Sequence, residues 1–214
     1  VLRIPMYLKR VLHGVLDPAA KVTAALETDS FAVFDANNGM GQVASVKAMD
    51  YAIEKAAEKG IYLTGVRNSN HFGAAAYYTM RAADKGMIGI CCSNTESLMP
   101  APGGAEKVVG NNPFSLAFPG GKYPSIVVDM AVSAAAIGKI VLAAKEGKSI
   151  PSGWATDQFG AETLDPLTAL DGGFLLPVGG PKGYGLSIAI DILAGLLLGA
   201  GFGGAEALAD AAED

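Results

Sequence analysis

Residues 61–93 of the chain read IYLTGVRNSNHFGAAAYYTMRAADKGMIGICCS. The segment IYLTGV is rich in β-forming residues and predicts a strand. GAAAYYTMRAADK predicts a helix that stops at Gly86, because glycine is favoured just after the last helical turn. MIGICCS is a short apolar run and predicts a second, buried strand. This order of strand, helix and strand predicts an α/β core built in layers.

The segments on either side extend the same pattern. Before this stretch, IPMYLKRVLHG predicts a helix, KVTAALET and SFAVFDA predict a β-hairpin, ANNGMGQ predicts a loop, and residues 42–59 predict another helix. After it, FSLAFP and SIVVDMA predict strands, and residues 134–146 and 183–198 predict helices. We expect one α/β domain over residues 1–204 and a frayed tail over residues 205–214.

The composition argues against several classes of protein. Of the 214 residues, 50% are hydrophobic and 17% are charged, which is typical of a globular fold rather than a disordered chain. The net charge of -5 argues against nucleic acid and anionic membranes as partners. The two cysteines, Cys91 and Cys92, are adjacent and cannot build a disulfide framework, which predicts a reducing, cytoplasmic location.

The most apolar run covers residues 184–202 and approaches the ~20 residues needed to cross a bilayer. Asp191 lies in the middle of this run, and four glycines interrupt it. A charged side chain and several glycines fit a buried helix better than a bilayer span. We therefore expect a core helix here and no membrane partner.

His71 lies in the segment RNSNHFG and is one of two histidines in the chain. Only histidine changes its charge near neutral pH without a perturbed pKa, so His71 is the strongest candidate for a proton carrier. Its place between a strand and a helix puts it at a sheet edge, where α/β proteins form sites. From the local sequence, a loop histidine that caps the helix is an equal alternative. His13, at a predicted helix end, is expected to be structural.

Three further segments carry residues suited to ligand binding. GGPKGYG places glycine N–H groups beside Lys182, an arrangement that suits the binding of a phosphate or carboxylate. The equal alternative is a Gly-Pro turn with a solvated lysine. Asp129, at the end of a predicted strand, can hold ribose hydroxyls or cap the next helix. In GNNPF, Asn111 and Asn112 precede a proline, and their amides can bind a substrate or a neighbouring loop.

Other motifs do not indicate a site. Cys91 and Cys92 lie in an apolar strand, which favours a core role over a nucleophilic one. The chain has no H-x-x-x-H or C-x-x-C pattern, so we expect no metal. GAGFGG matches G-x-G-x-x-G, but a dinucleotide fingerprint also needs a following strand and an acidic residue about 20 positions further on. We therefore expect GAGFGG to be the glycine-rich exit of the apolar helix.

Five segments occur in one order along the chain: NSNHFGAAAYY, PAPGGAEKVVGNNP, DMAVSAAAIGK, IPSGWATDQFGAETLDP and LLPVGGPKGYGLSIAIDILAGLLLGAGFG. In this order they resemble the malate/L-lactate dehydrogenase family of the non-Rossmann type, which includes ureidoglycolate and sulfolactate dehydrogenases. The resemblance runs from Val1 to about Gly203. It implies a layered α/β/α fold with a mixed sheet, like that of sulfolactate dehydrogenase and unlike a Rossmann fold.

The resemblance also implies roles for individual residues. His71 corresponds to the family's catalytic proton donor and acceptor. VLR at residues 1–3 resembles the end of a family segment similar to SHGVxR, which makes Arg3 the expected partner of the substrate carboxylate. Asn112 is expected to bind substrate, although Asn111 replaces the usual threonine of GTNP. The residues expected to contact the cofactor are Thr95, Asp129, Met130, Ala131 and Lys182.

The activity implied by the resemblance is hydride transfer between NAD or NADP and a small 2-oxo or 2-hydroxy acid, in a homodimer. Family chains extend further at both ends, so this chain resembles a shortened member. A truncated or engineered fold-carrier without catalytic activity is therefore an alternative hypothesis. A cysteine hydrolase that uses Cys92 and His71 is a weaker third one, because no oxyanion-binding or orienting residue can be named for it.

Overall fold

Two compact units make up the part of the chain that the computed structural model describes, residues 3–200. Unit 1 comprises residues 3–91, 115–129 and 198–200, and unit 2 comprises residues 92–114 and 130–197. The single domain expected over residues 1–204 stays a prediction. The expected tail at residues 205–214 lies outside the described residues.

The helices and strands follow the predicted order, with bounds that differ by a few residues. In chain order they are α1 (Ile4–Leu12), β1 (Thr23–Glu27), β2 (Phe31–Gly39), α2 (Gly41–Lys59), β3 (Leu63–Ser69), α3 (Ala75–Ala83), β4 (Gly89–Cys92), β5 (Ser97–Met99), β6 (Val109–Gly110), β7 (Phe114–Phe118), β8 (Ile126–Met130), α4 (Ile137–Glu146), α5 (Pro166–Leu170), α6 (Pro181–Ala194) and a 3₁₀ helix (Leu196–Leu198). Strands β5 and β6 and helix α5 are additions to the prediction, because elements of three, two and five residues show no periodicity.

The first sheet has the strand order β1–β2–β3 and contains both antiparallel and parallel pairs. Strands β1 and β2 form the predicted hairpin, with Thr23 opposite Asp35. Strands β2 and β3 are parallel, with Phe31 opposite Leu63. Parallel neighbours need a long crossover, which α2 supplies. The predicted mixed sheet in an α/β fold is thereby confirmed.

Small side chains let α2 pack closely on this sheet. Ala44 and Ala48 of α2 are buried, and Ala48 belongs to a cluster with Phe34 and Tyr62. Tyr51 extends this cluster, since its ring meets Phe34 edge-on with the centroids 5.3 Å apart. Close packing of this kind fixes the helix axis over the strands. It also fixes where the first turn of α2 lies.

A second sheet has the order β4–β7–β8, and helix α3 lies against its strand β4. A Cβ atom added to Gly89 would lie 2.4 Å from the backbone oxygen of Thr79, so only glycine allows this approach. The Thr79 hydroxyl also shares a buried hydrogen bond of 2.9 Å with Ser115 in β7. The middle of α3 is therefore held against this sheet at Thr79.

Unit 2 has a hydrophobic core of its own. It includes Met99, Val109, Ile140, Ile150 and Leu175, all of them buried. Strands β5 and β6 pair in antiparallel fashion, and α6 packs against β6. The core therefore joins the short strands to the two longer helices of this unit.

Helix α6 and the 3₁₀ helix after it, Pro181–Leu198, form the one segment of the described residues that is long and apolar enough to cross a membrane by length and composition alone. Core helices of other proteins pass the same test. Within unit 2 the polar residues Ser187 and Asp191 of α6 are buried, and Ser187 donates to the backbone oxygen of Gly110 at 2.7 Å. Polar groups paired inside the protein favour the predicted core helix.

The predicted loop ANNGMGQ is wrong in part, because β2 continues to Gly39. Asn37 and Asn38 have φ angles of 50° and 60°, and the register of β2 against β3 shifts between Asp35 and Gly39. Asparagine enters the left-handed region more readily than most residues, so it fits an irregularity inside a strand as well as a loop. Asn37 also donates to the backbone oxygen of Lys21 at 2.8 Å, which holds the strand in place.

Candidate active site

His71 lies in the segment between β3 and α3, as the sequence predicts. Asn68, near the end of β3, has a φ angle of 50°, and Gly73, two residues after His71, has a φ angle of 94°. These left-handed conformations turn the chain sharply on both sides of the histidine. The imidazole is half-buried in this bend.

Helix α2 begins against the same segment. A Cβ atom at Gly41 would lie 2.0 Å from the backbone oxygen of Asn70 and 2.8 Å from that of His71. Only glycine fits here, so the first turn of α2 rests directly on the backbone of the histidine segment. The next residue, Gln42, is thereby placed beside the hydrogen-bond partner of His71.

Tyr7 of α1 is that partner, and it joins Gln42 to His71. Its Oη lies 2.6 Å from His71 Nδ1, and Gln42 Nε2 donates to the same Oη at 2.7 Å. An amide nitrogen can only donate, so Tyr7 accepts from Gln42 and donates its single proton to Nδ1. Neutral His71 then carries its own proton on Nε2, and this N–H group is available to a ligand.

Burial lowers the pKa of His71, and the positive charges of Arg3 and Arg10 lower it further. Desolvation and nearby cations both disfavour the imidazolium, so the ring is neutral at neutral pH. Shifts with these causes collect at functional sites, although structural residues also show them. A lowered pKa keeps the His71 ring in its neutral form, which can accept a proton.

Two arginines give the surroundings of His71 a positive charge. Arg3 is exposed and forms the N-cap position of α1, and Arg10 donates to the side-chain oxygen of Asn70 at 3.1 Å. Within residues 3–200, neither arginine forms an ion pair with a carboxylate. Both guanidinium groups can pair with an anion, and a carboxylate suits their geometry.

In unit 2, Thr95 and Asn112 lie together in a second polar cluster. The backbone nitrogen of Thr95 donates to Asn112 Oδ1 at 2.9 Å, and its hydroxyl donates to Asn111 Oδ1 at 2.9 Å. Asn112 Nδ2 donates to both the backbone oxygen and the hydroxyl of Ser187, each at 2.9 Å. Asn112 is 0% exposed, so its amide holds the Thr95 segment to α6. Direct contact between Asn112 and a substrate stays a prediction.

Asp191 also belongs to this cluster and is 3% exposed. Burial raises the pKa of its carboxyl group, and a hydrogen bond with Asn112 opposes that rise. The sequence signals Asp191 only as a lone acid in an apolar run, which does not reveal its partner. Asn112 therefore connects Thr95, Ser187 and Asp191 in one network.

Lys182 is exposed in the first turn of α6, next to Pro181 and after Gly179 and Gly180. The two glycines have φ angles of 63° and 62°, which shape the turn into the helix. The backbone N–H groups at a helix start attract anions, and the lysine adds a full positive charge. This part of unit 2 therefore suits an anion, and the predicted contact between Lys182 and a cofactor stays a prediction.

The other expected cofactor residues lie at the end of β8. Asp129 is exposed, whereas Met130 and Ala131 are half-buried. The backbone nitrogen of Val132 donates to the backbone oxygen of Asn111 at 2.8 Å. Met130 and Ala131 therefore run into a segment that is tied to the Thr95 and Asn112 cluster.

The whole chain, residues 1–214, matches the malate/L-lactate dehydrogenase family. The chain belongs to this family. It is similar to L-sulfolactate dehydrogenase of Methanothermobacter thermautotrophicus, with 44% identity over 201 residues that cover 94% of this chain and 58% of that protein. It is also similar to ureidoglycolate dehydrogenase (NAD(+)) of Escherichia coli O157:H7, with 37% identity over 94% of this chain and 57% of that protein.

The solved structure of sulfolactate dehydrogenase from Methanocaldococcus jannaschii shares the fold of this malate/L-lactate dehydrogenase family member. The TM-score is 0.86 at 43% identity, and the match covers 94% of this chain and 58% of that one. The predicted family and the fold resembling sulfolactate dehydrogenase are therefore confirmed. The chain spans somewhat more than half the length of these relatives.

The residues of this family member that the sequence nominated fall in both units. Unit 1 brings Arg3 into electrostatic range of His71, and unit 2 joins Thr95 to Asn112. The sequence did not nominate Tyr7 or Gln42. Tyr7 lies in an amphipathic helix, where an aromatic residue predicts packing, and Gln42 carries no signal beyond its place after Gly41.

Two further expectations concern metals and cysteines. Between residues 3 and 200 there is no group of three or more His, Cys, Asp or Glu side chains arranged to hold a metal ion. Cys91 and Cys92 form no disulfide, and burial raises the pKa of the Cys92 thiol. A thiol that stays protonated at neutral pH is a poor nucleophile, which argues against the cysteine-hydrolase hypothesis.

Proposed function

We propose that the chain belongs to an oxidoreductase that transfers a hydride between a nicotinamide cofactor and a small 2-oxo or 2-hydroxy acid. The environment of His71 carries this proposal. Tyr7 forms a hydrogen bond with its Nδ1 atom, and the charges of Arg3 and Arg10 act on its ring. Among residues 3–200, neither arginine pairs with a carboxylate. Such an acid needs a proton carrier at its oxygen and a cation at its carboxylate. The two relatives described above are named for acids of this class.

Reduction of a 2-oxo acid leaves an alkoxide that needs a proton. His71 in its protonated form supplies that proton from Nε2. In the reverse direction, a neutral ring that carries its proton on Nδ1 takes the proton of the substrate hydroxyl at Nε2. Arg3 binds the substrate carboxylate through two parallel hydrogen bonds, which holds the carbonyl oxygen near His71. Arg10 stays with Asn70 and maintains the positive potential.

The nicotinamide, when bound, supplies or accepts the hydride. Its candidate contacts in this chain are Thr95, Asp129, Met130, Ala131 and Lys182. Lys182 and the N–H groups at the start of α6 suit a phosphate group, and the exposed Asp129 carboxylate suits ribose hydroxyls. Asn112 is buried and holds the Thr95 segment in place, and it is the candidate for binding the substrate in unit 2.

The finer features of the proposal are a homodimer, a cytoplasmic location and NAD or NADP as the cofactor. The name of the ureidoglycolate relative includes NAD(+), which supports a nicotinamide cofactor. The two cysteines form no disulfide, which suits a reducing compartment. Sedimentation velocity measures the oligomeric state, and paired assays with the two cofactors measure the preference.

The test follows the absorbance of NADH and NADPH with pyruvate, oxaloacetate and sulfopyruvate. We expect turnover of at least one acid, and a loss of about 100-fold or more in kcat for His71→Ala. His13→Ala is the matched control, because His13 is exposed at the end of α1 and should keep wild-type activity. If His71→Ala is as active as the wild type, His71 is not the proton carrier. Intact protein that turns over no acid and binds no dinucleotide supports the inactive fold-carrier instead.

A further inference from the structure

The side chain of Gln42 contains a buried acceptor without a partner. Among the described residues, Gln42 Oε1 has no hydrogen bond, whereas Nε2 of the same amide donates to Tyr7 at 2.7 Å. Buried polar atoms are nearly always paired, so an unpaired one calls for a physical explanation. The two atoms belong to one planar amide group, and half a turn about the last side-chain bond exchanges them.

The exchange reverses the hydrogen bonds between Gln42 and His71. With Nε2 toward Tyr7, the hydroxyl donates to His71 Nδ1, and the neutral ring carries its proton on Nε2. With Oε1 toward Tyr7, the hydroxyl donates to Gln42, and its oxygen accepts from an N–H group at Nδ1. The second arrangement fits the imidazolium. It also fits a neutral ring with a free lone pair on Nε2.

We propose that Gln42 is a positioning residue whose amide orientation, passed on through Tyr7, sets which nitrogen of His71 carries the proton. The proposal rests on the proposed function, in which Nε2 exchanges a proton with the substrate oxygen. Whether Nε2 gives that proton to an alkoxide or takes it from a hydroxyl, Nδ1 keeps its own proton throughout. The arrangement with Oε1 toward Tyr7 is therefore the reactive one. The arrangement in the structure is the resting one, in which the Nε2–H group of His71 can donate a hydrogen bond to the substrate oxygen but does not transfer its proton.

The contacts around Gln42 argue against a purely structural role for its side chain. It does not cap α2, because the N-cap position is Met40 and no side chain caps that helix end. Its backbone is fixed, since the neighbouring Gly41 lies against the backbone of Asn70 and His71. The charged groups that act on His71 are Arg3 and Arg10, and neither bonds to the Gln42 amide. Rotation of the amide therefore changes the Tyr7 hydrogen bonds and leaves those charges in place.

The experiment compares the wild-type chain with Gln42→Glu by two-bond ¹H–¹⁵N NMR of labelled histidine. A carboxylate can only accept, so Tyr7 must donate to it, and Nδ1 of His71 must carry a proton. At a pH where the ring is neutral, we expect mainly the Nε2–H tautomer in the wild type and mainly the Nδ1–H tautomer in Gln42→Glu. The added negative charge should raise the pKa of His71 by about one unit. The exposed His13 is an internal control and should not change.

Two further variants separate the relay from other effects. Gln42→Leu removes both the donor and the acceptor, so the preference of His71 for one tautomer should weaken, even if Gln42→Glu folds poorly. In a Tyr7→Phe background, Gln42→Glu should no longer change the tautomer ratio, because the connecting hydroxyl is absent.

The proposal is overturned if folded Gln42→Glu and Gln42→Leu both show the same His71 tautomer ratio as the wild type. An equal shift with and without the Tyr7 hydroxyl overturns the route through Tyr7. The NMR signals do not depend on turnover. Absence of activity with 2-oxo acids would therefore contradict the proposed function. A change in the preferred His71 tautomer in Gln42→Glu would still support the role of Gln42.

Discussion

In the structure, the hydrogen bond with Tyr7 favours one tautomer of His71. A free ring exchanges its proton between two nitrogens, whereas here the Tyr7 hydroxyl occupies Nδ1 at 2.6 Å. Burial and the charges of Arg3 and Arg10 keep the pKa of the ring below its ordinary range. An anion bound next to Arg3 offsets part of that charge. If the substrate carboxylate binds Arg3 as proposed, we expect it to raise the pKa of His71.

This coupling predicts two different pH profiles for the reduction of an oxo acid. Reduction needs protonated His71, so kcat/KM should fall as the pH rises through the lowered pKa of the free protein, below the usual value of about 6.5. The fall in kcat, which reports the substrate complex, should occur at higher pH, because the substrate carboxylate offsets the charge of Arg3. Initial rates measured over a range of pH and substrate concentrations give both profiles.

Arg3→Gln is the matched variant for this prediction. It removes one of the two cations, so the pKa seen in kcat/KM should rise. It also removes the proposed carboxylate partner, so KM should increase by about tenfold or more. Coincident kcat and kcat/KM profiles in the wild type would contradict the electrostatic coupling between Arg3 and His71.

Among the elements, the start of α6 depends on one close approach of backbone to backbone. A Cβ atom on Gly183 would lie 2.1 Å from the backbone oxygen of Val178, whereas one on Gly185 would meet nothing within 4 Å. The turn before α6 therefore packs directly on its first helical turn. Lys182 precedes Gly183 in this first turn, so its position and the direction of the helix N–H groups depend on the contact at Gly183.

The two glycines form a matched pair of substitutions. Gly183→Ala should lower the free energy of unfolding by about 2 kcal/mol, because the new methyl group forces the backbone of Val178 away. Gly185→Ala should leave it unchanged or raise it by up to about 1 kcal/mol, since alanine is the better helix former. Urea unfolding followed by circular dichroism measures both. Equal stability of the two variants would contradict the contact at Gly183.

The elements also show how far local sequence reaches. Helix α2 and the hairpin β1–β2 are predictable, because apolar spacing and β-forming residues are properties of a short window. The irregular end of β2 is not predictable in this way. Asn37 and Asn38 resemble loop residues until the strand partner of β2 is known.

For the molecule as a whole, the described residues form two units with separate cores. The core of unit 1 surrounds Phe34 and Tyr62, and that of unit 2 surrounds Met99 and Ile140. The candidate proton carrier belongs to unit 1, and most of the candidate cofactor residues belong to unit 2.

Cofactor binding predicts a change in the thermal stability of the protein. A ligand present at 100 times its Kd stabilises the folded state by about 2.7 kcal/mol, which raises the Tm of a chain of this size by roughly 5–10 °C. We expect this shift with either NAD(H) or NADP(H), and a smaller shift in Lys182→Gln. The control is Lys145→Gln, because Lys145 is exposed in the last turn of α4. No shift with either cofactor contradicts the proposed binding residues.

Periodicity and turn residues were enough to order the elements, because they can be read along the chain. The ordered segments that resemble the family, rather than the local sequence, nominated His71, and its catalytic role stays a prediction. The partners of His71 required the fold. Residues 7, 42 and 71 belong to three separate segments, and they meet only because α2 rests on the backbone of His71 at Gly41. Asn112 likewise finds Ser187 75 positions further on. Contacts between distant residues depend on packing, which a local sequence pattern does not contain.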